Sequence, residues 1–176
     1  YSYKMGSFTG ELNLESLKNI GINYTLVGHY ERRKIMYEEY EMAKEKLFKS
    51  LSSKCQTILC VGEEKRMRKP FSYVKKELNF YLRSIESSSI KYLSIAYEPN
   101  WAIGTGDVQD ISKIEQTVNL IKDYVHKKYN FEVEVYYGGS INGENIKAIY
   151  DVCDGVVLGK ISTDYKSLNN LLSNIK

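Results

Sequence analysis

Apolar positions along this chain fall into short runs separated by longer stretches of helical spacing. Runs at 23–27 (Asn-Tyr-Thr-Leu-Val), 56–61 (Gln-Thr-Ile-Leu-Cys-Val), 92–97, 133–137 (Val-Glu-Val-Tyr-Tyr) and 154–158 (Asp-Gly-Val-Val-Leu) predict five strands. Between and around them the pattern predicts helices near 13–20, 38–53, 71–86, 110–129, 142–150 and 164–174. The clearest helix carries Ile111, Ile114, Val118, Ile121 and Val125 on one face, with Asp110 in position to cap its start. Gly21 follows the first helix where a left-handed stop residue would sit. The alternation predicts a parallel sheet with right-handed crossovers. Without a Pro/Ser linker or low-complexity tract, residues 1–176 read as one domain.

Each predicted strand ends on residues able to do chemistry. They are Gly28-His29, Gly62-Glu63, Glu98-Pro99, Gly138-Gly139-Ser140 and Gly159-Lys160. Functional types after every strand, at one end of a sheet, is the layout of a (β/α)₈ barrel; a doubly wound sheet concentrates its site at one switch point. Five strands fall short of eight, so the α/β fold expected is a TIM barrel represented by about its last five βα units.

The segment Ala96-Tyr-Glu-Pro-Asn-Trp-Ala-Ile-Gly-Thr-Gly106 says most about chemistry. A strand delivers Glu98 at its end, and a loop follows with Pro99 at one side and Gly104 and Gly106 at the other. Pro fixes φ, and Gly absorbs large φ/ψ changes. Trp101, Ala102 and Ile103 give this loop an apolar face. Such a lid excludes water from the carboxylate and raises its pKa toward neutrality. A solvated glutamate in an ordinary surface loop is the other reading. His29 faces the same end of the sheet, and a neutral imidazole there can donate a hydrogen bond to a carbonyl. His126, in a Lys-rich helical stretch, is the weaker candidate. Small residues at Tyr137-Gly-Gly-Ser140 and Gly155-Val-Val-Leu-Gly-Lys160 expose backbone N–H groups after the last two strands, where barrels place phosphate.

Composition adds limits. An apolar fraction of 43% and a charged fraction of 27% describe an ordinary globular domain. No long apolar run or signal pattern is present, so the expectation is a cytoplasmic protein without a membrane partner. Cys55, Cys60 and Cys153 lack metal-site spacing and suit reduced core thiols. A net charge of +3 does not argue for nucleic acid, and the basic run at 65–69 reads as a solvated face.

Six segments together resemble triosephosphate isomerase. They are Gly6-Ser-Phe-Thr-Gly-Glu11, Gly28-His-Tyr-Glu-Arg-Arg33, Cys60-Val-Gly-Glu63, the 96–106 segment, Tyr137-Gly-Gly-Ser140 and Gly155-Val-Val-Leu-Gly159, in family order and covering nearly the whole chain. The resemblance implies a cofactor-free, metal-free enzyme that interconverts dihydroxyacetone phosphate and glyceraldehyde 3-phosphate. It implies that Glu98 is the catalytic base, His29 the electrophile and 99–106 the lid. Ile103 and Val157 match the apolar pair pressing on the base. Tyr137 matches a lid-clamping residue. Gly104, Ser140 and Gly159 match phosphate ligands, with Lys160 beside them. The resemblance also implies a homodimer, with Phe8-Thr9-Gly10 inserting into the partner and Glu11 pairing Arg32 across the interface.

Two residues depart from the family pattern. Tyr30 replaces the Ser after the catalytic His. Lys160 replaces a Gly, which costs about 1–2 kcal/mol if that position needs positive φ. The resemblance begins at the family's fourth strand, so the catalytic Lys and an Asn after strand one have no counterpart here. The expectation for an isolated Tyr1–Lys176 chain is negligible turnover and a tendency to aggregate or pair its open edges. The competing expectations are an isomerase of another small sugar phosphate, such as a four-carbon one, and a non-catalytic protein keeping the fold for assembly or binding.

Overall fold

The computed structural model describes residues 6, 7 and 9–175. Five strands form one parallel sheet in the order β1 (Tyr24–Val27), β2 (Gln56–Val61), β3 (Leu93–Tyr97), β4 (Val135–Gly138) and β5 (Gly155–Val157). Sequence neighbours are spatial neighbours throughout, as in one arc of a barrel wall. The register runs, for example, Leu26 to Ile58, Leu59 to Ile95, Ala96 to Tyr136 and Tyr137 to Val156. Strand ends therefore stay level, and the residues after each strand gather along one rim.

The helices are α1 (Leu14–Asn19), α2 (Tyr30–Lys34), α3 (Tyr40–Ser52), α4 (Phe71–Tyr81), α5 (Ile111–Tyr129), α6 (Ile146–Tyr150) and α7 (Tyr165–Ser173). The α5 stripe is confirmed: Ile114, Val118, Ile121 and Val125 are buried and Ile111 is half-buried. Asp110 precedes α5 as expected, but its side chain makes no capping bond. Gly21, at φ +83°, donates its N–H to Lys18 O after α1, the expected helix stop. Asn130, at φ 52°, closes α5 in the left-handed region. Leu47, Leu51, Val74, Leu78, Ile114 and Ile121 pack with Leu59, Val61, Ile95 and Val135 of the sheet into one core.

Three boundaries differ from the sequence expectation. The helix α2 was unexpected, because its residues Tyr-Glu-Arg-Arg-Lys have no apolar periodicity. It is nucleated instead by His29, whose Nδ1 accepts the N–H of Glu31 at 3.3 Å. Helix α4 stops at Tyr81 rather than residue 86. Helix α6 starts at Ile146 rather than 142, since Asn142 Oδ1 accepts the N–H groups of Glu144 and Asn145 and holds a turn there.

The outer strand β1 leaves Tyr24 66% and Leu26 43% exposed. Among the described residues, only Tyr37, Lys54 and Asn130 have positive φ outside glycine, so Lys160 carries no left-handed strain. Cys55 and Cys60 are buried free thiols, and Cys153 is a half-buried one. No described helix is long and apolar enough to cross a membrane.

Candidate active site

The rim at the C-terminal ends of β1 to β5 brings His29 to Glu98 and Ser140 to the 99–106 loop. Glu98 leaves β3 with its N–H donated to Val61 O at 2.8 Å, which fixes the backbone beside β2. Its side chain is 3% exposed. Space for it is made by glycine: a Cβ on Gly138 would lie 2.7 Å from Glu98 Cγ, and one on Gly62 would lie 1.9 Å from Glu98 O. These two positions, on either side of β3, admit no side chain: Gly62 lets the Glu98 backbone approach β2, and Gly138 lets the carboxylate pack directly on backbone.

Burial has an electrostatic consequence. Glu98 Oε2 has no hydrogen-bond partner among the described residues. Taking a carboxylate out of water disfavours its charged form. Burial therefore pushes the Glu98 carboxyl up to about 7, with the Cys60 thiol and the Arg33 guanidinium offsetting part of the effect. A carboxyl poised there can both take and return a proton at neutral pH.

His29 stands opposite, with Nε2 3.9 Å from Glu98 Oε1. Burial, together with nearby Arg33, lowers its pKa below the usual histidine value, so the ring is neutral at pH 7. Because Nδ1 accepts a backbone N–H, the ring proton is on Nε2, the nitrogen facing Glu98. The site thus pairs a carboxyl of raised pKa with a neutral imidazole donor.

The 99–106 loop, the expected lid, follows Glu98 directly. Pro99 is buried, Trp101 and Ile103 are half-buried, and a 3-10 turn spans Asn100–Ala102. At its far end Gly106, with φ +83°, donates its N–H to Ser140 Oγ at 3.0 Å. The same hydroxyl donates to Ala102 O at 2.7 Å. Ser140 therefore clasps the lid from the loop after β4. Gly104 is exposed between these two clasped points. Below the lid, Tyr97 and Tyr137 meet edge to face at 5.9 Å, and Tyr137 is fully buried. Val157 is half-buried at the end of β5, while Gly159 and Lys160 are exposed just beyond it. Tyr30, half-buried, opens α2 beside His29.

Several contributors were not singled out by sequence reasoning as site residues. Cys60 borders Glu98. Gly138 makes its room. Glu63 is completely buried beneath the lid and accepts from Trp101 Nε1 at 3.0 Å. Placement at strand ends was the available signal for Glu63 and Gly138. Of the interface candidates, Thr9 and Glu11 are exposed, and Phe8 lies outside the described residues. Within the chain, Arg32 Nη2 lies 3.6 Å from Glu11 Oε1. Among the described residues no cluster of three or more His, Cys, Asp or Glu side chains could hold a metal.

Comparison with known proteins fits this geometry. The triosephosphate isomerase family profile matches residues 1–175. The chain belongs to the triosephosphate isomerase family. The triosephosphate isomerase of Mycoplasma genitalium is 38% identical over 168 residues, covering 92% of this chain and 68% of the relative. That of Alkaliphilus metalliredigens is 37% identical over 166 residues, covering 89% and 67%. That of Mycoplasma pneumoniae is 36% identical over 165 residues, covering 90% and 67%. The chain thus spans about two thirds of the length of these triosephosphate isomerases.

Proposed function

We propose that the protein is a triosephosphate isomerase that interconverts dihydroxyacetone phosphate and glyceraldehyde 3-phosphate by proton transfer. The observation that carries this reading is the facing pair, a buried Glu98 raised to about 7 and a neutral His29 with its proton on Nε2. Ionised Glu98 removes a proton from C1 of dihydroxyacetone phosphate while His29 Nε2–H donates to the C2 carbonyl oxygen. The electron pair of the broken C–H bond moves into an enediolate. After a proton shifts between the two oxygens, protonated Glu98 returns its proton to C2. Donors aimed at the developing oxyanion lower the barrier, and the lid keeps water from the intermediate.

In this reading Gly104, Ser140 and Gly159 hold the phosphate through backbone N–H groups, with Lys160 adding positive charge nearby. Ile103 and Val157 press on the base, and Pro99, Trp101, Gly106 and Tyr137 set the lid. Residues 1–176 form one domain that works in the cytoplasm, in glycolysis and gluconeogenesis. Two copies pair through the Phe8-Thr9 tip and the Glu11–Arg32 region.

A coupled assay of the protein purified from its native source, on three- and four-carbon ketose phosphates, tests the proposal. Preference for the three-carbon substrate, lost in Glu98→Gln and His29→Leu, supports it. Equal rates on both substrates, or activity that survives Glu98→Gln, would sink it.

A further inference from the structure

We propose that Arg66 and Gln109 are positioning residues that tie the two ends of the 99–106 lid into one moving unit, through the loop that follows β2. The proposal rests on reading that segment as a lid over Glu98.

Two ties meet the indole, one at its Nε1 edge and one over its ring face. On the buried side, the Glu63 carboxylate accepts from Trp101 Nε1 at 3.0 Å and from Gln109 Nε2 at 3.2 Å. It also accepts from Tyr97 OH at 3.2 Å. Gln109 is 4% exposed, and its own oxygen accepts the N–H of Asp110 at 3.2 Å, which fixes the amide. On the outer side, the Arg66 guanidinium sits 4.2 Å from the centre of the Trp101 ring. Its Nη2 is 3.2 Å from Asp107 Oδ2. Trp101 belongs to the leading end of the lid. Asp107 and Gln109 follow its trailing end. Each end therefore shares a partner with the other, once through a carboxylate and once through a guanidinium. The Asn100 N–H, donated to Glu63 O at 3.0 Å, anchors the leading end to the same loop.

The arrangement has a mechanical consequence. If the leading end lifts, Trp101 leaves Glu63 and Arg66, and both partners lose the packing that aims them at Gln109 and Asp107. A buried carboxylate stripped of donors is costly, so Glu63 resists the loss of either one. The outer tie is exposed, with Arg66 61% and Asp107 60% exposed as side chains, so it is weaker and screened by salt. The basic run at 65–69, expected to be only a solvated face, thus supplies a residue that acts on the lid.

Trp101 is the chain's only tryptophan, so its fluorescence reports on the lid without substrate. The test is acrylamide quenching of Trp101 in the full chain, well below its unfolding temperature. The variants are Gln109→Met and Asp107→Asn; the groups they change bond Glu63 and Arg66 rather than the indole. Each variant should raise the quenching constant about two- to fivefold, the range of one exposed ion pair or neutral hydrogen bond. Raising salt to about 1 M should mimic Asp107→Asn in the parent protein but add little in that variant. Asp107→Glu should restore the parent value. A parent-like quenching constant in either folded variant overturns the proposal. If Gln109→Met does not fold, Asp107→Asn and the salt dependence decide. Since the readout needs no turnover, its failure is distinguishable from failure of the isomerase reading.

Discussion

Replacing Glu98 with Gln should make the protein more stable at alkaline pH. The carboxyl goes from 4.5, its ordinary value, to about 7 in the folded chain. That gap corresponds to roughly 3 kcal/mol at 1.36 kcal/mol for each pH unit. The sign follows from linkage. A group whose folded pKa lies above its unfolded value contributes stability fully present below the unfolded value, here 4.5. That stability declines as pH rises and is gone once the folded value, about 7, has been passed. Glutamine does not ionise, so the variant escapes this loss. Urea unfolding of both proteins should show a difference that grows in favour of Glu98→Gln by about 2.5 kcal/mol between roughly pH 5 and pH 8. Titrations elsewhere cancel in the difference. A difference that stays flat across this range would refute the claim that burial holds the Glu98 carboxyl near neutrality.

Two further outcomes follow from the same geometry. Gly138→Ala should destabilise the fold by about 1–3 kcal/mol in urea unfolding, because its Cβ would meet Glu98 Cγ at 2.7 Å. His29 should titrate below 6.5 in nitrogen-15 spectra, with the neutral ring protonated on Nε2; a value above 6.5 would contradict its burial beside Arg33.

Much of the fold was legible because burial leaves a periodic trace. The α5 stripe and the apolar runs of β2 and β3 are seen in the structure with shifts of a residue or so. Helix α2 was not legible, because it depends on a side-chain cap from His29 and on charged residues without an apolar stripe. The early start expected for α6 failed because Asn142 and Asn145 bond their own backbone instead of continuing a helix. Glu98 and His29 could be found because both follow strands that end on one rim. What supports them could not. Cys60 against Glu98, Gly138 beneath it, and Gln109 and Trp101 meeting at Glu63 are contacts between different βα loops, for which local sequence has no periodic signal. The strain suspected at Lys160 depended on a single backbone angle, which only the folded chain reveals.

The central claim is that Glu98, buried and facing a neutral His29, moves a proton on a triose phosphate. Its most direct test follows the C1 hydrogens of dihydroxyacetone phosphate by NMR in heavy water, with the protein purified from its native source and with its Glu98→Gln variant. The account predicts that the parent protein exchanges one C1 hydrogen for deuterium faster than the variant does. Exchange at the same rate in both proteins would contradict it.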